Sequence, residues 1–110
     1  MPDRLSVARA FIEAVVERQA DVAVALCADS VEVLLPGASA PLRGKDGVRQ
    51  MIHIAPKLEQ SFRSEEERPG EVRVMTLTRA PGIFANYTTW VFEIERDLVK
   101  RLSFELRAAN

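Results

Sequence analysis

The sequence predicts an α+β fold, and three observations carry that prediction. Apolar residues recur at helical spacing through the first half of the chain. The second half replaces that period with long segments of alternating apolar and polar residues, and these segments are bounded by turn signals at Pro69-Gly70, Ala80-Pro81-Gly82 and Arg96-Asp97. Helices followed by an antiparallel meander are the arrangement of an α+β protein. At 110 residues, without a linker, repeat or low-complexity stretch, residues 1–110 read as one domain, large enough to bury a core without disulfides or metal.

The elements follow in order. Asp3 can accept hydrogen bonds from a first helical turn, and Val7, Ala10, Phe11, Ala14 and Val15 then recur at i, i+3, i+4, i+7 and i+8. That is an amphipathic helix of about four turns, with Arg9, Glu13 and Glu17 off the centre of its apolar stripe and Arg9 able to pair with Glu13. Ala20 to Gly44 compresses several elements. Asp21 caps a short apolar helix, Ala28-Asp29-Ser30 ends it, Val31 to Leu35 is a buried strand, and Pro36-Gly37 stops that strand. Leu42-Arg43-Gly44 forms a short strand before a third helix that begins at Lys45 or Asp46. On that helix Val48, Met51, Ile52 and Ala55 share a face, and Pro56 limits its length.

Ser61 to Arg68 is charged and weakly strand-like, with Phe62 as its one large apolar group. Long strands then cover Glu71 to Arg79, Ile83 to Glu95 and Leu98 to Arg107. In the last hairpin Trp90, Phe92 and Ile94 alternate onto one face, as do Leu102, Phe104 and Leu106, and both sets should meet the helices. A plain two-residue turn at Arg96-Asp97 would put the two sets on opposite faces. The hairpin therefore needs an odd connection or a bulge, and one such register places Glu93 opposite Arg101.

Composition excludes several partner classes. Fifteen basic and sixteen acidic side chains nearly cancel and are interspersed, whereas nucleic acid or an anionic membrane calls for a clustered positive field. The longest apolar runs, such as Val22 to Ala28, are too short to span a bilayer. Cys27 is the only cysteine and cannot form an internal disulfide, and MPDRLS lacks the apolar run of a signal peptide, so a reducing, cytoplasmic setting is expected. No metal or cofactor site is assigned.

Among groups that could do chemistry, His53 is the only histidine. It lies about 150° from the centre of the apolar face of its helix and should point to solvent or the helix flank. Cys27 falls on the short helix among Val22, Ala25 and Leu26 and reads as a buried structural thiol. Trp90 shares its strand face with Asn86 and Thr88, so its indole N–H has polar neighbours on an apolar wall. Tyr87, Thr89 and Val91 point the other way, onto the outer face of the sheet.

Phe11 to Val15, AD at 20–21, ALCAD at 25–29, VEVLLPG at 31–37 and RGKDGVRQMI at 43–52, in this element order, resemble the nuclear transport factor 2-like superfamily, particularly its SnoaL-like and ketosteroid isomerase-like members. The resemblance implies a cone-shaped, curved antiparallel sheet wrapped around helices, also described as cystatin-like, with a pocket at the wide end. The isomerases keep an aspartate base near the end of the first strand, where this chain has Leu35. Their first-helix tyrosine corresponds by apolar pattern to Phe11, or a shifted alignment brings Glu13 close. A further acid on the penultimate long strand corresponds to Trp90. Cyclase-like members carry His and Asp in the last strand, where this chain reads Arg101, Leu102, Ser103, Phe104 and Glu105.

These positions lead to a SnoaL-like protein that binds a small apolar molecule through Phe11, Leu35, Trp90 and Phe104, with Asn86 or Thr88 orienting a polar group. The alternative is an isomerase, cyclase or hydrolase acting on a cyclic or polyketide-like substrate, with Glu13 or His53 as base. A dimerisation module using Tyr87, Thr89 and Val91 is the third reading, since the resemblance implies back-to-back packing of two protomers through that face.

Overall fold

A computed structural model of the chain describes residues 3–108. Its first helix, α1 (Arg4–Val16), starts where Asp3 accepts a hydrogen bond from the Ser6 amide at 2.7 Å. The buried face of α1 is Val7, Ala8, Phe11, Ile12, Ala14 and Val15. It is centred nearer Ala8 and Ile12 than the predicted stripe, which leaves Ala10 half-buried. Arg9 does not pair with Glu13. It reaches Glu65 and lies over the Phe62 ring at 5.5 Å, and Arg4 meets Glu67 at 3.6 Å. α1 thereby holds the free edge of the sheet.

Arg18 turns the chain with a left-handed φ of 58°. The second helix, α2 (Ala20–Ala25), is capped by Gln19 without a side-chain bond. Asp21 is therefore not the cap; it sits in the first turn, where its carboxylate faces the positive helix end and accepts from Arg49 at 2.7 Å. Ala28-Asp29-Ser30 does not terminate α2 either. Strand β1 (Cys27–Val33) begins as soon as the helix ends, because Leu26 C=O accepts from Val99 N–H at 2.8 Å and draws the chain into the sheet. β1 stops at Val33, so Leu35 lies two residues beyond it.

β2 (Leu42–Arg43) pairs with β1, and α3 (Gly44–Ile54) follows directly, one residue earlier than the sequence suggests. α3 buries Gly47, Val48, Met51 and Ile52 and exposes His53. Its last carbonyls are not left bare: the Arg18 guanidinium donates to Ala55 O at 2.7 Å and to His53 O at 3.4 Å.

The remaining strands are β3 (Glu59–Arg68), β4 (Glu71–Ala80), β5 (Phe84–Glu95) and β6 (Leu98–Ala108). The sheet is six-stranded in the order β2-β1-β6-β5-β4-β3, curved around the helices and not closed. Its pairings are antiparallel except β1 with β6, which is parallel. Between β5 and β6 the turn is Arg96-Asp97, both left-handed at φ 55° and 62°, and the register shifts between Glu93 and Ile94. Of the two expected solutions, an odd connection or a bulge, the hairpin has the bulge, and Glu93 faces Arg101 with N and O 4.0 Å apart.

The core gathers along this hairpin. The Phe11 and Phe92 rings meet edge to face with centroids 5.7 Å apart; Trp90 lies parallel to Phe92 at 6.4 Å and meets Phe104 at 5.0 Å. α3 comes so close to β2 that a Cβ on Gly47 would stand 2.9 Å from the Leu42 carbonyl carbon. Alanine in place of glycine inside a helix ordinarily stabilises by about 1 kcal/mol. Here overpacking, at about 1–3 kcal/mol, should outweigh that gain. Gly47→Ala is expected to lower the urea midpoint; a higher midpoint would mean that α3 moves off β2 without cost.

Candidate functional site

Strand alternation turns Val72, Val74, Thr76 and Thr78 of β4 toward the helices, with Asn86, Thr88, Trp90 and Phe92 of β5 beside them. The inward row on β4 thus changes from valine to threonine toward the β4–β5 turn. At that end the sheet and helices border a cavity of about 180 Å³ that is open to solvent on one side. The helices contribute Val15 and Met51, and the connecting segments contribute Leu35, Pro36, Ala55, Pro56 and Leu58. The sheet contributes Thr78, Asn86, Thr88 and Trp90, followed by Phe104 and Leu106, with Phe84 at the rim. None of these lining residues carries a charge.

The polar groups lie together on the β4–β5 side. Trp90 Nε1–H donates to Thr76 Oγ1 at 3.1 Å, and Thr76 Oγ1 lies 2.8 Å from Thr78 Oγ1. Thr88 Oγ1–H donates to Asn86 Oδ1 at 2.5 Å. Thr76, Thr78 and Thr88 are all buried. Their hydroxyls stay in a low-dielectric interior because Thr76 bonds to Thr78 and the indole, and Thr88 bonds to the Asn86 side chain.

No protein-family model matches the sequence, and no curated protein does either. Solved structures do. A Sphaerobacter thermophilus protein is 22% identical with a TM-score of 0.88, over 99% of this chain and 100% of that one. A candidate ketosteroid isomerase from Kribbella flavida is 18% identical with a TM-score of 0.82, over 96% and 78%. A nuclear transport factor 2-like protein of unknown function from Cytophaga hutchinsonii is 11% identical with a TM-score of 0.82, over 97% and 92%. The chain has the nuclear transport factor 2-like fold.

Within that fold, five of the six residues expected from sequence to meet a ligand share one cavity: Leu35, Asn86, Thr88, Trp90 and Phe104. Phe11 is the exception. It is fully buried behind Phe92, one layer below the cavity floor, and contributes to the core instead of the wall. The indole partner is also not the one expected: Trp90 bonds to Thr76 on the neighbouring strand, not to Asn86 or Thr88 on its own. Thr76 and Thr78 escaped sequence reading, although two threonines at inward positions after two valines were a usable signal. Glu13 and His53 are exposed and neither lines the cavity. No group of three or more His, Cys, Asp or Glu among the described residues is placed to hold a metal ion.

The outer face carries Tyr87 and Thr89, half-buried, and Val91, 9% exposed. Met75 and Leu77 stand opposite Thr89 and Tyr87, and Arg107 lies over the Tyr87 ring at 5.2 Å. Among the described residues no helix is long and apolar enough to cross a membrane.

Cys27 opens β1 instead of lying on α2, and its buried thiol contacts Ala23 O at 3.3 Å. Burial pushes the thiol pKa up to about 11, against a weaker opposing pull from the Lys45 charge. The folded chain thus holds a proton that the unfolded chain, with a thiol near 9.0, has released. The stabilisation is complete below about pH 8.5 and is lost as pH rises toward 11. Over that interval the wild type should lose up to about 2.7 kcal/mol more than Cys27→Ala. Urea melts at stepped alkaline pH measure the difference; parallel pH curves for the two proteins would contradict it.

Proposed function

We propose that the protein binds a small apolar molecule in the cavity between Leu35, Trp90 and Phe104. One observation carries the reading: the wall is made of uncharged side chains, and its few polar groups gather on one side. This is the pattern of a site that takes its affinity from apolar contact and its orientation from a few placed hydrogen bonds. A dry cavity of about 150 Å³ accommodates benzene. The cavity here, at about 180 Å³, therefore suits a single ring with a short substituent. Phe84 and Leu106 at the mouth are exposed, as are Ile54 and Ile83 beside lining residues, so a larger apolar group could continue over the rim.

Isomerisation, cyclisation or hydrolysis would require a titrating group within hydrogen-bond reach of the bound molecule. Glu13 and His53 stand in solvent outside the wall, which supports binding over acid–base chemistry. The lone, buried Cys27 accords with a reducing, cytoplasmic setting.

Trp90 is the only tryptophan, so its indole N–H gives a single resonance that reports the cavity floor. Isopropylbenzene is expected to shift that resonance saturably, and Ala55→Phe, which fills the wall opposite, should weaken binding by roughly tenfold while the spectrum stays dispersed. Absence of a saturable shift with monocyclic hydrocarbons would refute the reading.

We further propose that two copies pair through the outer sheet face. Met75, Leu77, Tyr87, Thr89 and Val91 form an apolar strip there, flanked by the Arg73–Glu105 and Arg101–Glu93 pairs, which suits a face that meets its own copy. Sedimentation at micromolar concentration should give a dimer for the wild type and a monomer for Thr89→Lys. A monomeric wild type would refute the pairing.

A further inference from the structure

The hydrogen atoms of the polar cluster can be followed one by one. An indole N–H only donates, so Trp90 spends its single hydrogen on Thr76 Oγ1. The Thr76 hydroxyl, fully buried, must then place its own hydrogen on an acceptor. Among the described residues its one remaining partner is Thr78 Oγ1, so Thr76 donates to Thr78. The Thr78 hydroxyl has accepted and still holds a hydrogen, and Thr78 lines the cavity. On the facing strand the Thr88 hydroxyl has given its hydrogen to Asn86 Oδ1. Asn86 therefore keeps both hydrogens of Nδ2, for which the described residues provide no acceptor, and Asn86 also lines the cavity.

These two unspent donors are neighbours. Thr78 and Asn86 are direct cross-strand partners on the inward face, where Cβ atoms stand about 4.5–5.5 Å apart. The Trp90–Thr76 bond fixes the sense of the first donor, and the Thr88 bond fixes that of the second. The rest of the wall is apolar.

From this pair we infer that the ligand is an uncharged apolar molecule bearing a carbonyl-type oxygen, held jointly by Thr78 Oγ1–H and Asn86 Nδ2–H. The inference rests on the binding reading above and narrows it. A carbonyl oxygen has two lone pairs and can accept from both donors at once. A carboxylate or an ammonium group would enter a wall that holds no counter-charge, and its desolvation would go uncompensated. Thr78 and Asn86 then determine specificity, whereas Trp90, Leu35 and Phe104 supply apolar contact common to any ligand of the right size.

The test pairs acetophenone with isopropylbenzene, which has a similar shape with a methyl group in place of the carbonyl oxygen. Replacing both donors, in Thr78→Val/Asn86→Leu, should weaken acetophenone by about tenfold or more and leave isopropylbenzene unchanged or tighter. Thr78→Ser should retain acetophenone. The carbonyl stretch of bound, 13C-labelled acetophenone should fall below its value in an apolar solvent with the wild type and return toward it with the double variant. Isopropylbenzene binding also reports that the double variant is folded; if it is not, Asn86→Leu alone, at a half-exposed site, takes its place with a smaller expected loss of about threefold. Equal changes for both ligands, or an unshifted carbonyl stretch, would overturn the inference while leaving the binding site intact. Failure of both ligands to bind the wild type would overturn the binding reading and this inference with it.

Discussion

The bulge in the β5–β6 hairpin decides which side chains face the helices. With Arg96-Asp97 as a two-residue turn, an unbroken ladder would send Leu102 and Phe104 to the outer face. One extra residue on β6 restores the register, so that Trp90 pairs with Phe104 and Phe92 with Leu102 on the inward side. The aromatic chain Phe11–Phe92–Trp90–Phe104 depends on that pairing, and so does the cavity whose floor Trp90 forms. The bulge also sets β6 to receive β1: Leu26 accepts from Val99, Leu34 donates to Leu102, and the two strands run parallel.

Concave sheet faces are usually apolar because an unpaired polar atom in the interior costs about as much as a lost hydrogen bond or more. This face carries threonines with less of that penalty because polar side chains two residues apart on the same strand bond to each other. Thr76 bonds to Thr78 along β4 and Thr88 to Asn86 along β5, so each threonine hydroxyl has a partner within the cluster. Trp90 completes the arrangement by satisfying its N–H on the same wall instead of reaching across the cavity. The space opposite is left to Met51, Ala55 and Leu35, and Arg18, bonded to Ala55 O, holds the chain where it leaves α3.

Period-2 and period-3.6 patterns made the elements legible, and a parity argument called for either an odd connection or a bulge in the last hairpin, of which the structure has the bulge. Local rules failed where tertiary contacts outweighed them. Asp21 has the right chemistry for a helix cap, yet its carboxylate pairs with Arg49 on α3, and that partner is invisible at sequence range. Ala28-Asp29-Ser30 reads as a helix stop but lies within β1, between the points where Cys27 and Glu32 register with Val99 and Arg101 of β6. Phe11 lies on the correct face of α1, but facing inward does not distinguish core from cavity wall. That distinction depends on depth, and Phe92 fills the space between. Leu35, Asn86, Thr88, Trp90 and Phe104 were legible because strand alternation and the family resemblance agreed on one end of the sheet.

The same geometry underlies the proposal that this cavity binds a molecule without transforming it. Two donors on a carbonyl oxygen would draw electron density from the neighbouring carbon, as sites that stabilise a developing oxyanion do. Polarisation alone moves no proton. Proton transfer needs a base close to the polarised carbon, and Leu35, which lies in the wall, has an apolar side chain. A carboxylate introduced there would be desolvated among Met51, Trp90 and Phe104 with no cation to pair with, and its own pKa would rise until it was neutral. In the proposed reading the donor pair and the apolar wall thus select and orient a carbonyl while leaving its α-protons in place.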